Sequence, residues 1–242
     1  MLIENTKDIK PENNLVMIVY GRGGVGKTTF AASAPKPLLL DFENGSKYLG
    51  DRGINISVAR FDKWLTAKDK QELSNVLPQF ETIIIDPLGD VMDKIIDSET
   101  ISGRKYRMAD GGLTIAGWGE AKRQLKSFIE WLRDSKKNVI IVSHVSEIQT
   151  EQGLEHRIQV ATKLKDKIPD MVDIISFLGI RLKKGTEDEY ERTLYTPAQG
   201  GNFDSKDRTG HIPNSVVISE RNGWNDLLKA IETTKQSKME EN

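Results

Sequence analysis

The 242-residue sequence has no cysteine. That excludes a disulfide framework and any thiolate-held zinc or iron–sulfur site. Its three histidines, His144, His156 and His211, are scattered and form no obvious metal cluster. No run of about 18 apolar residues occurs, so nothing in the chain reads as a membrane-spanning helix. The opening stretch MLIENTKDIK carries acidic residues and no apolar segment, unlike a secretory leader, and a cytoplasmic location is the expectation. There is no excess of either charge: 35 Lys+Arg against 36 Asp+Glu leave a net charge of −1. No global field draws such a chain onto nucleic acid, so only a local basic patch could do so. What is present is 37% hydrophobic and 29% charged residues, a balance that suits a folded core. The length suits one α/β domain.

Short β-branched runs alternate with helical stretches. Residues 15–20 (LVMIVY), 38–41, 56–61, 82–86 and 139–143 read as strands, most of them continuously apolar. Such runs indicate strands covered on both faces, as in a parallel sheet. Residues 66–77 and 119–135 repeat apolar positions at helical spacing. This order predicts a three-layer α/β fold with right-handed crossovers. After about residue 145 the rhythm changes to short strands at 157–160, 174–183, 191–195 and 215–218, with a hairpin turn expected at Gly185–Asp188. A helix over 224–234 and a frayed tail close the chain. The expected division is an extension over 1–12, a core over 13–220 and a terminal helix with tail over 221–242.

Directly after the first strand the sequence reads Gly21-Arg22-Gly23-Gly24-Val25-Gly26-Lys27-Thr28-Thr29. It matches G-x-x-x-x-G-K-[ST] in the strand–loop–helix context that gives the motif meaning. The glycines let successive backbone N–H groups turn towards a phosphate, and the helix starting near Lys27 adds its positive end. Lys27 would bridge the β- and γ-phosphates, and the Thr28 hydroxyl would ligate Mg²⁺. A second element, Thr82-Ile-Ile-Ile-Asp86, is an apolar strand ending in a carboxylate that would orient the metal and its waters. A turn-capping role with Pro87 is the alternative. No Asn-Lys-x-Asp guanine-reading motif occurs, so ATP is the expected nucleotide.

The order of P-loop, Leu39-Leu-Asp-Phe-Glu43-Asn-Gly, Ile-Ile-Asp-Pro, Gly-Trp-Gly-Glu before a long helix, Val-Ser-His144 and Lys206-Asp-Arg208-Thr-Gly210 resembles the RecA-like P-loop ATPases. Within them it is most similar to the phage-type, core-only group that includes single-strand-annealing recombination proteins. The likeness spans roughly residues 15–218. It implies a RecA-like, mostly parallel sheet with a β-rich C-terminal extension. It also implies Glu43 as the base that polarises the attacking water and His144 as a γ-phosphate sensor. Lys206 and Arg208 would reach into a neighbouring subunit's site, which requires a homo-oligomer, a ring or a filament. A departure from RecA is expected: no separate polymerisation domain before the core and no C-terminal domain are read in these 242 residues.

RecA-like proteins bind single strands through two mobile loops, here about residues 101–112 and 145–162. The first carries Arg104-Lys105-Tyr106-Arg107, cations beside an aromatic ring that could stack on a base. The second carries Arg157 among Glu147, Glu151 and Glu155, which is poor material for an electrostatic groove. The resemblance therefore implies an Mg-ATP-binding ATPase acting on single-stranded DNA, without strong sequence preference, in phage recombination or annealing. A single-strand-binding or replication protein would be a further partner. The alternative is an ATP-gated interaction factor, such as a helicase-loading or assembly partner, which the neutral charge and acidic second loop favour.

Overall fold

The computed structural model describes residues 14–151, 153–160, 168–197 and 202–240. The leader over 1–12 lies outside them. The strands are β1 (Val16–Gly21), β2 (Pro37–Asp41), β3 (Ser57–Arg60), β4 (Thr82–Asp86), β5 (Asn138–Thr150), β6 (Gly153–Ile158), β7 (Ile174–Leu182), β8 (Tyr190–Tyr195), β9 (Lys206–Asp207) and β10 (Ser215–Ile218). The helices are α1 (Lys27–Ala32), α2 (Ala67–Val76), α3 (Leu88–Ile96), α4 (Ile115–Asp134), α5 (Ile168–Met171) and α6 (Gly223–Glu240). One sheet runs β10-β8-β7-β1-β5-β4-β2-β3, with β6 paired to β5 and β9 to β7. From β3 to β7 all neighbours are parallel; β8 and β10 extend the sheet antiparallel. This is the expected mostly parallel α/β sheet with its β-rich C-terminal extension.

Alternation along the central strands builds the layers. Val16, Ile18 and Tyr20 of β1, with Ile83, Ile85, Val139 and Ile141, face a core shared with Leu73 of α2, Val91 of α3 and Phe128 of α4. Met17 and Val19, with Ile84, Ile140 and Val142, face the opposite core, closed by Phe30 of α1 and Trp224 and Leu227 of α6. Every residue of β1 and β4 is buried, which is why these runs carry no polar face.

The structure differs from the sequence expectation in four places. Helix α3 was not anticipated, although Leu88, Val91, Met92 and Ile95 are buried at helical spacing. Strand β3 is an edge strand whose residues are mostly exposed rather than doubly covered. Strand β5 does not stop at Ser143 but continues to Thr150 and turns back as β6, so most of the expected second loop is a β-hairpin. The terminal helix continues to Glu240 instead of fraying after residue 234, with Trp224 packed on Phe30.

Candidate nucleotide site

Strand register assembles the site. Gly21 is level with His144 across β1 and β5, and Asp41 with Asp86 across β2 and β4. The carboxyl ends of four parallel strands thus meet at one edge of the sheet, where open α/β sheets bind ligands. The chain leaves β1 at Gly21, where a β-carbon would lie 2.3 Å from the Leu178 carbonyl oxygen, so only glycine fits. It enters α1 through Gly26 at φ 102°, a left-handed conformation that favours glycine. Around Gly23 and Gly24 the space is open.

Inside this loop Lys27 is buried, and its Nζ donates to the carbonyls of Gly21 (3.0 Å) and Arg22 (2.9 Å). Burial lowers its pKa, while the charges of Asp86 and Glu43 act in the opposite direction. The Thr28 hydroxyl donates to Asp86 Oδ2 at 2.6 Å. Asp86 is itself buried, and burial raises its pKa to about 6; Glu43 and Asp41 add to that shift, and the Thr28 hydrogen bond and Lys27 oppose it. Asp86 therefore faces Thr28 rather than capping α3, whose first turn receives no side-chain cap. A hydroxyl and a carboxylate converging beside a buried ammonium are hard-oxygen ligands suited to Mg²⁺ beside a phosphate.

Glu43 is exposed on the turn after β2, and its charge acts on both Lys27 and Asp86. The turn is held by Asp41, a residue the sequence reading passed over. Asp41 Oδ1 accepts from the Glu43 N–H (3.2 Å) and the Gly45 N–H (3.3 Å), and Oδ2 accepts from the Ser46 N–H (3.0 Å). His144, Gly21, Arg22, Gly23 and Glu147 line a cavity of about 300 Å³ on the loop. Arg22 is held outside the loop's interior by Glu147 of the hairpin, through bonds of 2.6 and 2.9 Å. Val25 is buried in the core beside α1. Thr29 opens onto a second cavity, about 240 Å³, between α1, residues 52–56 and Glu220–Arg221.

Four expected cations, Lys206, Arg208, Arg107 and Arg157, are engaged within the chain. Lys206 and Asp207 pair with Ile175 and Ile174, at the amino end of β7 and so at the sheet edge opposite the phosphate loop. Lys206 Nζ donates to the carbonyls of Pro169 and Val172, and Arg208 donates to Asp173 Oδ1 at 3.1 Å. Within one chain neither cation reaches the site. Arg107 donates to the carbonyls of Ile101, Gly111 and Ile96, which closes the 101–112 segment on itself. Arg157 is bound by Glu155 and Asp204. Arg104 and Lys105 are exposed, with Lys105 over the Tyr106 ring at 5.4 Å.

The family model of the AAA domain matches residues 13–209. The chain belongs to the AAA domain family. That makes it a nucleotide-binding P-loop ATPase by family, in agreement with the loop, Lys27, Thr28 and Asp86. Among solved structures it is similar to the flagellar accessory protein FlaH of Methanocaldococcus jannaschii, at 9% identity and a TM-score of 0.47, covering 86% of this chain and 87% of that one. No curated protein matches the chain significantly. Among the described residues, no helix is long and apolar enough to cross a membrane.

Proposed function

We propose that the chain is an Mg-ATP-dependent ATPase whose nucleotide state is read by the β5–β6 hairpin and passed to a partner protein. One observation carries the nucleotide reading: Thr28 Oγ1 and Asp86 Oδ2 lie 2.6 Å apart beside the buried Lys27. Bound there, Mg²⁺ would neutralise phosphate charge, held by Thr28 and Asp86. Lys27 would leave the Gly21 and Arg22 carbonyls for the phosphates. Water adds to the γ-phosphorus, the bond to the ADP oxygen breaks, and Glu43 takes the water's proton. The cavity beside Thr29 has room for the nucleoside.

The partner reading is supported by the internal pairing of Arg107 and Arg157 and by the acidic hairpin. A second reading, single-stranded DNA as the target in recombination or annealing, is supported by exposed Arg104 and Lys105 beside Tyr106. A homo-oligomer in which Lys206 and Arg208 complete a neighbour's site is part of either reading. Mg-ATP binding and hydrolysis measured with and without single-stranded DNA separate them, on wild type, Lys27→Ala and Arg208→Ala. The ATPase reading expects Lys27→Ala to abolish both binding and turnover. Salt-sensitive stimulation by DNA favours the second reading; hydrolysis indifferent to DNA favours the first. An unaffected Arg208→Ala removes the shared site.

A further inference from the structure

Arg192 lies near the middle of β8, between Ile180 of β7 and Ile218 of β10, far in sequence from the phosphate loop. Its side chain nevertheless lies on that loop. Arg192 Nε donates to the Val25 carbonyl at 3.1 Å. The guanidinium also covers the Cα of Gly26 so closely that a β-carbon there would meet Nε at 2.9 Å and Cδ at 3.3 Å. Its Nη1 is 4.0 Å from Glu220 Oε2, a carboxylate that is mostly exposed. Arg192 itself is about one-third exposed, at 32%. The contact is therefore a directional hydrogen bond to the loop rather than one half of a buried ion pair.

The Val25 carbonyl and the Gly26 N–H belong to one peptide unit. In a trans peptide these two groups point in opposite directions. A cation bound at the carbonyl end withdraws electron density and makes the N–H at the other end a stronger donor, as in any hydrogen-bond chain. It also fixes the rotation of that peptide about its left-handed glycine, which would otherwise be soft.

We infer that Arg192 is a positioning residue for nucleotide phosphate, setting the direction and donor strength of the Gly26 N–H through the Val25 carbonyl. The inference rests on the nucleotide reading above. It assigns a task to the antiparallel extension, which otherwise only widens the sheet: β8 braces the phosphate loop from outside. The expected ligand class is a nucleoside di- or triphosphate, because the groups that Arg192 prepares address phosphate and not base or ribose.

The test uses the whole chain with Arg192→Ala and Arg192→Lys, and adenosine, ADP and Mg-ATP as probes. Arg192→Ala is expected to weaken ADP and Mg-ATP by about tenfold, as for loss of a charge-assisted hydrogen bond. Adenosine binding should be unchanged, and Arg192→Lys should recover part of the phosphate affinity. In the nucleotide-free protein, the Gly26 amide resonance should move in Arg192→Ala while the melting temperature holds. Equal loss for adenosine and ADP would overturn the inference by placing Arg192 at the nucleoside end. An unshifted Gly26 resonance with unchanged ADP affinity would overturn it too. If Arg192→Ala does not fold, Arg192→Lys decides: wild-type adenosine affinity with measurably weaker ADP affinity supports the inference, and no change in either overturns it. Wild type that binds none of the three overturns the nucleotide reading itself, whereas wild type that binds ADP as tightly as both variants overturns only the role of Arg192.

Discussion

Arg22 and Glu147 are joined by two parallel hydrogen bonds, Nε to Oε1 at 2.6 Å and Nη2 to Oε2 at 2.9 Å. The second residue of the phosphate loop is thereby tied to the β5–β6 hairpin, opposite His156 in the strand register. The guanidinium holds the Glu147 carboxyl below its ordinary pKa. His156 stacks on both Phe177 and Phe203, which also touch each other, so the base of the hairpin is packed and its ionic tie to the loop is exposed. A phosphate entering the loop brings charge that competes for Arg22.

Hydrogen exchange across residues 145–158 should therefore change when Mg-ATP is added to the wild type. In Glu147→Ala the same amides should exchange faster without nucleotide, and nucleotide should have little further effect. Equal exchange in wild type with and without Mg-ATP would refute the coupling.

The pH dependence of the metal-free protein follows from Asp86, whose carboxyl is raised from 3.8 to about 6 by burial. A raised carboxyl means the folded state binds more protons than the unfolded state between those values. Stability from this group is thus present at low pH, lost as pH rises through about 6, and absent above it. Asp86→Asn should lack that loss, so by pH 8 it should gain on the order of 3 kcal/mol over wild type relative to pH 3.5. Urea unfolding of both proteins at the two pH values measures the difference. The same variant should bind Mg-ATP poorly.

Glu43→Gln should retain Mg-ATP affinity and lower turnover by roughly 10²–10⁴, the range typical of a lost general base. Asp41→Asn should also lower turnover, through the turn rather than the chemistry. Its Oδ1 can still accept from the Glu43 and Gly45 N–H groups, but an amide nitrogen cannot accept from the Ser46 N–H. Single-turnover hydrolysis beside equilibrium binding separates the two variants.

Tyr20 is fully buried, and its hydroxyl donates towards the His156 carbonyl at 3.1 Å and the Asp204 carbonyl at 2.9 Å. Burial raises its pKa far above that of a free phenol, so it remains a donor throughout the working range. Tyr20→Phe keeps the ring contact with Phe177 but removes the one proton these two carbonyls share; the His156 carbonyl keeps the Asp204 N–H, and the Asp204 carbonyl loses the hydroxyl. A loss of about 1–3 kcal/mol in denaturant unfolding is expected, with nucleotide affinity retained.

The strands of the central sheet were legible because a doubly covered strand must be apolar along its whole length, as 15–20, 82–86 and 139–143 are. Gly21–Thr29 was legible because cradling phosphate demands glycines and a lysine at fixed offsets. The end of β5 was not, because Glu147, Gln149 and Thr150 carry a polar pattern that a loop or a two-stranded ribbon can equally use. Asp41 stood in plain sight beside Glu43, and its Asp-x-x-x-Gly-Ser context could have marked it as the acceptor for the following turn.

The sequence by itself determined the phosphate loop, the apolar strand ending in Asp86 and the fold class, since each depends on contiguous residues whose spacing is read directly. Only the tertiary structure decided which cations remain available. Arg107 and Arg157 looked free on a line but find acceptors inside the fold, because buried carbonyls and carboxylates must be satisfied. Arg192 looked like an ordinary strand residue, yet it reaches Val25 across 167 positions because β8 joins the sheet beside β7, one strand away from β1. A long side chain's partner is set by sheet order, and sheet order comes from packing both faces at once.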